Sequence, residues 1–346
     1  MSDLAIVSLI VPCRNERAFI EAFCADALAQ VLPPRHTLQL VVADGASDDG
    51  SRAVLDALAA RESRLLVVDN PDKIVSCALN RALAVASGEV IVRMDVHTRY
   101  ADDYVAQCLL ALQRSGADNV GGPWRAEGGE GWQRAIATAF QSRWGAGGAR
   151  SRDLDYEGEV DTVYLGCWPR ATFERFGGFD EALVRNQDDE HNLRIALAGG
   201  RIWQSRAIRC AYTPRDSLAA LSRQWLQYGY WKPFVMKKHG QPAALRHLLP
   251  GSFVAALAAA LVWALVGISI GWPASWLPLA SLVGLYVLAL TALSLAIDRA
   301  AGLRLWWRLP VVLAVQHLCY GLGSLLGAHD AWRHGHGRAR FAGLTR

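Results

Sequence analysis

Short apolar runs alternate with longer segments of helical spacing along the N-terminal part of the chain. Four runs have the length and β-branched content of buried parallel strands: Ile6–Val11, Leu38–Ala43, Leu65–Val68 and Glu89–Met94. The segments between them predict helices at Arg17–Leu32, Arg52–Arg61 and Val75–Ala86, the last closed by Gly88 at a C-cap-like position. This alternation predicts an α/β fold with a mostly parallel sheet and helices on both faces.

The pattern changes after residue 216. Aromatic and basic residues dominate 217–245, which predicts an amphipathic helix at a membrane interface. Two apolar stretches follow, Gly251–Ile270 and Ser275–Ile297, and each is long enough to cross a bilayer. A third stretch, Leu309–Ala328, includes a glutamine and a histidine, so the anchor is predicted to have two or three hydrophobic helices.

The chain thus divides into an α/β domain at 1–216, an interfacial segment at 217–245, a membrane anchor at 246–330 and a basic tail at 331–346. Arginines lie between the second and third stretches, whereas the first turn is uncharged. The positive-inside rule therefore predicts that the α/β domain lies on the cytoplasmic side of the membrane. Three crossings would leave the basic tail outside, so either the third stretch is re-entrant or interfacial, or the rule fails here.

The composition limits the kinds of molecule that the chain is expected to bind. The net charge is +4, and several of the 13 Trp flank the apolar stretches. A mildly basic protein facing anionic lipid accounts for this charge, and the sequence has no nucleic-acid-binding motif. The seven Cys are scattered without a C-x-x-C pair, which argues against a zinc site or a disulfide framework and fits a reducing compartment.

Polar loops follow three of the predicted strands, at the sheet edge where α/β proteins bind ligands. The first loop contains Pro12, Arg14, Asn15 and Glu16, the second Asp44, Ser47 and Asp48, and the last Asp95 and His97. Such groups could bind a base, a ribose and a diphosphate. Each loop also has a structural explanation, because Asp and Ser are common in turns and at helix N-caps.

Two basic residues near these loops have alternative roles. Lys73 precedes the third predicted helix and could pair with a phosphate, or it could simply be solvated. Arg93 lies two residues before Asp95 on the same strand face, so it could contact a diphosphate or only balance the carboxylate.

Asp95 and His97 form a D-x-H pair at the end of the fourth strand. A carboxylate and a neighbouring ligand can hold a divalent cation against a diphosphate, where the cation acts as a Lewis acid. The imidazole shifts the preference toward Mn²⁺ without excluding Mg²⁺.

A second acidic cluster, Asp188-Asp189-Glu190, begins a predicted helix at 188–198. One of these carboxylates could act as a general base that takes the proton of an acceptor hydroxyl. Clustered carboxylates raise one another's pKa, which suits a base. The same residues could instead stabilise the helix macrodipole, and both roles can hold together.

Taken as a set, the segments VSLIVPCRNE (7–16), DGASDDG (44–50) and MDVH (94–97) resemble the family 2 inverting glycosyltransferases over about residues 5–235. The segments VDTVYLG (160–166), RNQDDE (185–190) and QYGYWK (227–232) are similar to the succinoglycan-type ExoA branch of exopolysaccharide glycosyltransferases. This resemblance implies a GT-A fold, a UDP-sugar donor and a polyprenyl-diphosphate-linked oligosaccharide acceptor.

The resemblance also implies residue roles. The family's catalytic base falls on Asp188 if Arg194 fixes the register, and Asp189 is the alternate. Asp161 and Tyr164 could line the acceptor cleft, although a strand residue at such a place more often serves packing.

Gln227 and Trp231 match the family's Q-x-x-R-W pattern, which binds acceptor and donor diphosphate, but Tyr230 stands where Arg is usual. The change removes a bidentate phosphate contact. Together with the small number of apolar stretches, it favours an enzyme that adds one sugar over a processive synthase. The aromatic side chains of this segment could equally be interface anchors.

Three alternatives remain at the level of sequence. A nucleotidyltransferase normally has a Gly-rich phosphate loop near the N-terminus, which this chain lacks. A non-catalytic membrane sugar-binding protein is disfavoured by the intact set of Asp95, His97 and Asp188. Within the glycosyltransferases, transfer onto polyprenyl phosphate is the alternative to transfer onto a lipid-linked oligosaccharide.

Overall fold

The apolar runs pair into one large sheet. The computed structural model describes residues 5–142, 145, 147–338 and 341. The strands are β1 (Ala5–Cys13), β2 (His36–Asp44), β3 (Leu65–Asp69), β4 (Val90–Arg93), β5 (Thr98–Tyr100), β6 (Asn119–Gly122), β7 (Arg125–Ala126), β8 (Gly158–Glu159), β9 (Tyr164–Pro169), β10 (Ile202–Gln204) and β11 (Cys210–Tyr212). The α-helices are α1 (Ile20–Leu28), α2 (Ser51–Ala59), α3 (Val75–Val85), α4 (Tyr104–Ser115), α5 (Gly131–Gln141), α6 (Arg170–Phe176), α7 (Gln187–Leu197), α8 (Leu218–His239), α9 (Leu249–Ser269), α10 (Leu277–Ala301) and α11 (Leu309–Arg333).

Within the described residues, the main sheet has eight strands in the order β3-β2-β1-β4-β9-β6-β10-β8. The strands β3, β2, β1 and β4 are parallel, while β9 runs antiparallel between β4 and β6. The sheet is therefore mostly parallel, as predicted. The chain builds the sheet outward from β1 in both directions, and a switch of this kind opens a crevice at the carboxyl ends of the strands. A smaller sheet has the order β5-β11-β7.

The strands are buried on both faces, which explains their continuous apolar sequences. In β1, Val7, Leu9 and Val11 pack into the cluster on one face of the sheet. Ile10 packs on the opposite face with residues of α3. Because α/β packing removes both faces from water, the sequence shows no polar alternation in these strands.

The four predicted strands and the helices α1 to α3 are confirmed, with one difference in length and one in capping. Helix α1 is shorter than the predicted Arg17–Leu32, because Val31 donates its N–H to the carbonyl of Asp102 instead of continuing the helix. The prediction that Gly88 caps α3 is wrong, since the C-cap is Ala86 in an extended conformation. Gly88 is instead required by packing: a Cβ there would lie 2.6 Å from the backbone nitrogen of Ser8.

The described chain forms two compact units. The first contains residues 1–125 and 149–213, and the second contains 126–148 and 214–346. The first unit holds the main sheet. The segment 126–148, which lies inside the predicted 1–216 domain, clusters with the second unit through α5.

The predicted loop at 143–158 is only partly described, and residues 143, 144 and 146 lie outside the described set. From residue 149 the segment is held by the first unit. The side-chain nitrogen of Gln204, which is fully buried, donates to the carbonyls of Arg150, Asp153 and Tyr156 at 2.9 to 3.3 Å.

The second unit contains α5 and α8 to α11. Three of its helical segments are long and apolar enough to cross a membrane: 245–269, 273–301 and 309–333. About 17% of each of the first two is buried, against 39% of the third. All seven cysteines of the chain are free.

Candidate functional site

The polar loops after β1 and β2 are joined by hydrogen bonds. Asn15 adopts a left-handed conformation with φ 56° and donates its backbone N–H to Ser47 Oγ at 2.9 Å. Its amide side chain pairs with Asp48, donating to Oδ1 at 2.9 Å and accepting the Asp48 N–H at 3.0 Å. These bonds fix the two loops against each other at the carboxyl edge of the sheet.

Asp44 is buried at the end of β2 and is held by Ser47. The Ser47 hydroxyl donates to Asp44 Oδ1 at 2.5 Å, and the Ser47 N–H donates to Oδ2 at 3.3 Å. Helix α2 receives no side-chain cap from its N-cap residue, Gly50. Asp44 and Ser47 instead bond to each other, and Ser47 also bonds to Asn15, so the helix-cap explanation of their presence does not apply to either.

The neighbouring predicted residues line the same edge. Glu16 is buried and its N–H donates to Ser51 Oγ at 2.7 Å. Gly45 allows the close approach of Arg14, whose Cβ lies 3.1 Å from the point where a Gly45 Cβ would stand. Pro12 is half-buried and pairs in register with Ala43 of β2.

The loop after β3 joins this edge as well. Asn70 donates its N–H to the Asp44 carbonyl at 2.8 Å. Lys73, in a left-handed conformation with φ 64°, donates its N–H to the Asn70 carbonyl at 3.2 Å. The structure therefore brings the backbone of Lys73 toward the loop of Asp44.

Asp95 follows β4, and its backbone is fixed by an aromatic hydroxyl. Tyr100 Oη accepts the Asp95 N–H at 2.6 Å and donates to the Asp95 carbonyl at 3.1 Å. Burial, and then the nearby Asp95 charge, raise the pKa of Tyr100 well above its ordinary value, so the phenol stays protonated as a donor. Nothing in the local sequence marks Tyr100 for this role, and the sequence analysis missed it.

Arg93 connects Asp95 to the second acidic cluster. Its Nε and Nη2 donate to the two carboxylate oxygens of Asp95 at 3.2 and 3.3 Å. Its Nη1 lies 3.9 Å from Asp188 Oδ2. Burial alone would lower the pKa of Arg93, but the charges of Asp95 and Asp188 outweigh it and raise the pKa above its ordinary value. The guanidinium is thus a fixed positive charge between two carboxylates.

Asp188 and Asp189 lie in the first turn of α7. Asp188 Oδ1 accepts the N–H of Asp189 at 2.9 Å, so its Oδ2 is the oxygen that faces Arg93. The Asp188 side chain is 40% exposed, and solvent reaches it. An acid in the first turn of a helix also interacts favourably with the macrodipole, so the structural role foreseen for this cluster holds beside any chemical one.

Helix α7 is anchored by the residues that follow. Glu190, fully buried, receives two hydrogen bonds from Arg194, which also donates to the carbonyls of Phe176 and Gly178. Asn192 donates to Thr162 Oγ1 at 2.9 Å. The buried side of the helix is therefore fixed, and this sets the position of Asp188 on the exposed side.

His97 lies two residues beyond Asp95, and its side chain is 43% exposed. Its Nδ1 is 3.8 Å from Glu16 Oε1, which links the loop after β4 to the loop after β1. The donor set of Asp95 and His97, one carboxylate and one imidazole, fits Mn²⁺ or Mg²⁺, and the remaining ligand positions suit diphosphate oxygens. Among the described residues, these two belong to no group of three close His, Cys, Asp or Glu ligands.

An aromatic wall adjoins the site. Tyr164 Oη lies 2.9 Å from Thr98 Oγ1, and its ring stacks on Trp124 with centroids 5.1 Å apart. The guanidinium of Arg152 covers the Trp124 ring at 3.6 Å. The sequence analysis named Tyr164 but missed Trp124 and Arg152, because only the fold brings these distant segments together. Asp161, half-buried, lies between β8 and β9 in the same unit.

The Q-x-x-Y-W residues lie in the second unit, on α8. Tyr230 is fully buried and Trp231 is 3% exposed. Tyr230 Oη donates to Asp330 Oδ2 at 2.8 Å and accepts the Arg338 N–H at 2.9 Å, and Trp231 Nε1 donates to the Phe341 carbonyl at 3.2 Å. In this arrangement the two aromatic side chains contact α11 and the tail. Their contact with an acceptor remains a prediction, as does that of Gln227, which is also buried.

In the part of the chain that the structure describes, one further cluster has possible metal ligands. His329, Asp330 and His334 offer atoms within 4.8 Å of one another. The Asp330 side chain, however, is only 2% exposed, against 17% for Asp95, and it already forms an ion pair with Arg338 at 2.7 Å and a hydrogen bond with Tyr230. We therefore assign this cluster to the packing of the tail against α8.

Residues 8–171 match the family model for glycosyl transferase family 2. The chain is 34% identical over 244 residues to the succinoglycan biosynthesis protein ExoA of Rhizobium meliloti (strain 1021), covering 70% of this chain and 73% of that protein. It is 22% identical over 240 residues to the dolichyl N-acetyl-alpha-D-glucosaminyl phosphate 3-beta-D-2,3-diacetamido-2,3-dideoxy-beta-D-glucuronosyltransferase of Methanococcus voltae, covering 67% of this chain and 74% of that protein.

Solved structures agree on the fold. The mannosyltransferase PcManGT from Pyrobaculum calidifontis, in complex with GDP-Man and Mn²⁺, is similar with a TM-score of 0.58 and 20% identity, over 92% of this chain and 86% of that chain. S. aureus TarS 1–349 in complex with UDP-GlcNAc is similar with a TM-score of 0.50 and 14% identity, over 96% and 92%.

The sheet, its strand-end loops and these likenesses define a glycosyltransferase with the GT-A fold. The chain belongs to glycosyl transferase family 2 and is related to ExoA.

Proposed function

We propose that this chain is a membrane-anchored, inverting glycosyltransferase that moves a hexose from a UDP-sugar to a polyprenyl-diphosphate-linked oligosaccharide. The observation that carries this proposal is the shared position of Asp95 and Asp188 around Arg93. A donor-side carboxylate and a base must flank one sugar ring for such a transfer. Both carboxylates contact the same guanidinium, so they belong to one crevice.

The nucleoside would bind at the loops after β1, β2 and β3. Asp44 and Asp48 offer acceptor oxygens for base and ribose hydroxyls, and their bonds with Ser47 and Asn15 hold the loops in place before the donor arrives. Because the loops are already ordered, less conformational entropy is lost on binding. Pro12, Arg14, Glu16 and Lys73 complete this edge.

The diphosphate would lie against Asp95, His97 and Arg93. Arg93 Nη1 is buried and makes no hydrogen bond within the described part of the chain, so a phosphate oxygen would supply its missing acceptor. A Mn²⁺ or Mg²⁺ ion held by Asp95 and His97 would act as a Lewis acid on the departing diphosphate. Arg93 cannot release its proton, so it keeps a positive charge beside the leaving group throughout.

Asp188 would act as the base. The acceptor hydroxyl oxygen forms a bond to the anomeric carbon from the face opposite the diphosphate, while the bond from that carbon to the diphosphate oxygen breaks and its electron pair leaves with UDP. The hydroxyl proton passes to Asp188. Direct displacement inverts the anomeric centre, and general-base catalysis of this kind contributes about 10²- to 10⁴-fold. Asp189 is the alternate base.

The acceptor is proposed from the relatives and from the hydrophobic helices. ExoA is named for succinoglycan biosynthesis, and the Methanococcus voltae protein is named for a dolichyl-phosphate-linked acceptor. The chain itself has helices suited to a membrane, where a polyprenyl-linked substrate lies. A lipid-linked sugar is therefore favoured over bare polyprenyl phosphate. In the first unit Asp161 would serve acceptor binding, and the predicted acceptor contacts of Gln227, Tyr230 and Trp231 belong to the second unit.

A donor and acceptor screen tests this function. Full-length protein in detergent is mixed with Mn²⁺, with each of several nucleotide sugars, and with a lipid extract from its host, and transfer of labelled sugar into the organic phase is measured. We expect transfer from a UDP-hexose that stops when the extract is replaced by polyprenyl phosphate. Transfer onto polyprenyl phosphate would overturn the acceptor assignment, and lack of transfer from every donor would overturn the function.

A further inference from the structure

Helices α8 and α11 lie side by side with unusually close backbones. A Cβ added at Gly229 would stand 2.1 Å from the Tyr320 carbonyl, one at Gly323 2.2 Å from the Leu226 carbonyl, and one at Gly327 2.0 Å from the Tyr230 carbonyl. Leu226 faces Gly323, Tyr230 faces Gly327, and Lys237 reaches Ala331 farther along, so the two helices run parallel. Small residues permit this approach. Any depth in a membrane that α11 occupies is therefore shared by α8.

Helix α8 is too polar to lie in hydrocarbon. Its 22 residues include Arg223, Lys232, Lys237 and Lys238. A charged side chain is costly at the centre of a bilayer. Lys237 Nζ donates to the Ala331 carbonyl at 2.6 Å, so the charged end of α8 lies beside the last turns of α11. The polar helix α8 thus packs beside the C-terminal half of the apolar helix α11.

The contact of α11 with α9 indicates how deep α11 lies in the membrane. Helix α9 begins at Leu249, just after Arg246 and His247, which suits entry from a membrane interface. A Cβ at Gly321 would lie 2.3 Å from the Pro250 carbonyl, so the first turn of α9 meets the middle of α11. Gly321 is twelve residues from the start of α11 at Leu309, or about 18 Å along the helix axis.

That offset does not suit a helix that crosses beside α9. The hydrocarbon core of a bilayer is about 30 Å thick. A chain that returned through α10 and then crossed again from the entry side would bring the first turn of α11, and not its middle, to the first turn of α9. A helix that passes beneath α9 in the plane of the interface brings its middle there.

The N-terminal end of α11 also lies near a helix that precedes the hydrophobic segments. Trp307 packs edge-on against Trp132 of α5, with ring centroids 5.8 Å apart, and the Arg308 guanidinium lies 5.6 Å from the Trp132 ring. Helix α5 comes before α9 in the chain. It therefore stays on the side from which α9 enters.

The outward face of α11 is mostly apolar, although exposed His329 and Arg333 lie near its C-terminal end. Five large apolar side chains recur there at helical spacing and are 37 to 62% exposed: Val311, Leu318, Leu322, Leu325 and Trp332. An apolar stripe opposite a face packed on a polar helix is the pattern of a helix that lies in a lipid interface.

We propose that only α9 and α10 cross the membrane, and that α11 lies with α8 in the headgroup region of the leaflet from which α9 enters, its apolar stripe against lipid. The two crossings form a hairpin that returns the chain to its side of entry. Residues 299–308 and the basic tail then lie on the same side as residues 1–248. This removes the conflict between three crossings and the positive-inside rule.

Cysteine labelling tests this topology. Single cysteines replace exposed residues in a Cys319→Ser background, in which the six remaining cysteines are buried. The substitutions are Ala60→Cys as the marker of the α/β unit, Ala274→Cys between α9 and α10, Ala301→Cys after α10, and His336→Cys in the tail. A membrane-impermeant maleimide is applied to intact cells and to inverted membrane vesicles, and the background protein serves as the unlabelled control.

We expect the cysteines at 60, 301 and 336 to react only in inverted vesicles, and the cysteine at 274 only in intact cells. Labelling of 336 together with 274 would mean that α11 crosses and would overturn the proposal. Labelling of 274 together with 60 would show that no hairpin crosses, which overturns the proposal and the membrane anchor together. Neither outcome bears on sugar transfer, which is measured separately.

Discussion

Arg93 Nη1 lies 3.9 Å from Asp188 Oδ2, although the two residues belong to distant segments, the end of β4 and the first turn of α7. The same guanidinium donates to both oxygens of Asp95. A buried cation next to two carboxylates keeps them in one crevice despite their mutual repulsion. The arrangement separates a carboxylate suited to a metal from a more exposed one suited to proton transfer.

Asp188→Asn should remove transfer while leaving donor binding intact. The amide is nearly isosteric but cannot accept the hydroxyl proton, so kcat should fall about 10²- to 10⁴-fold. The Asp188 side chain is 40% exposed, so folding should be little affected. Turnover is measured with a UDP-sugar, and donor affinity by calorimetry on the same preparation.

Asp189→Asn is the matched control. It removes the same negative charge from the same turn of α7, and it leaves the contact between Asp188 and Arg93 in place. We expect its kcat to stay within about tenfold of the parent. A reversed result, with full activity for Asp188→Asn and loss for Asp189→Asn, would transfer the base role to Asp189.

Arg93→Lys should weaken both donor binding and turnover. A lysine ammonium cannot reproduce the two-pronged contact with Asp95 and also face Asp188. A hydrogen bond to a charged group contributes about 1.5–3 kcal/mol, and about 1.4 kcal/mol corresponds to a tenfold change in rate. We therefore expect kcat/KM to fall at least about tenfold.

The control for Arg93→Lys is Arg81→Lys. Arg81 pairs with Asp72 at 2.6 Å, but both side chains are about half exposed, at 43% and 50%. Surface pairs of this kind contribute about 0–1 kcal/mol, so activity and stability should hardly change. An equal effect of the two substitutions would mean that Arg93 is not part of the site.

The fold could be predicted from sequence because its information is local. A strand buried on both faces must be a continuous apolar run, so β1 to β4 were readable directly. The role predicted for Gly88 was wrong because it depends on a tertiary contact. A glycine after a helix resembles a cap, whereas the reason for this one is a close approach to β1, which only the assembled sheet reveals.

The candidate site was predicted in part, and its missing members were all distant contacts. Asp44, Asp95 and Asp188 follow strands or begin a helix, where polar residues stand out from apolar neighbours. Tyr100, which fixes the Asp95 backbone, and Arg152, which covers the Trp124 ring, depend on tertiary contacts with no sequence pattern.

His97→Asp should change the metal preference without loss of the fold. An all-oxygen ligand set favours Mg²⁺, whereas an imidazole favours softer ions such as Mn²⁺. His97 is 43% exposed, so the substitution leaves the core intact. We expect the ratio of activity in Mg²⁺ to activity in Mn²⁺ to rise several-fold, measured by titrating each ion into chelator-treated enzyme.

The comparison for this variant is His36→Asn, at a partly exposed histidine whose Nδ1 lies 3.1 Å from the Pro34 carbonyl. Its metal ratio should equal that of the parent. If His97→Asp also left the ratio unchanged, His97 would not be a ligand.

Tyr230→Phe should destabilise the protein. The substitution removes a hydroxyl that bonds to Asp330 and to the Arg338 N–H in a buried position. Leaving such groups unpaired costs about 1–3 kcal/mol. Thermal unfolding in detergent should show a clear drop in midpoint, while Tyr228→Phe, which removes one 3.2 Å bond from Gln224 at a half-buried position, should show less. A stable variant with a raised KM for acceptor would instead support the predicted acceptor contact.

The stability of the α/β unit should fall on acidification because of His191. The ring is fully buried among Phe173, Phe179 and Trp168, and its Nε2 faces the Gly177 carbonyl at 3.1 Å. Burial, followed by the charge of Arg194, lowers the pKa of His191 from 6.5 to about 4. Between these two values the unfolded chain binds more protons than the folded chain, so the free energy of unfolding decreases as the pH falls through this window. One pKa unit corresponds to about 1.4 kcal/mol, which sets an upper limit of about 3 kcal/mol for the loss.

His191→Phe separates this effect from the titration of carboxylates. Phenylalanine fits the aromatic cluster and binds no proton, but it leaves the Gly177 carbonyl without its donor, which costs stability equally at every pH. The variant should therefore be less stable near pH 7 and should lose less further stability between pH 6.5 and pH 4 than the parent. Unfolding midpoints measured across this range test the slope. If the two proteins lost unfolding midpoint equally as the pH falls, the His191 ring would take up a proton without disturbing its neighbours. The buried neutral imidazole would then not be the cause of the acid sensitivity.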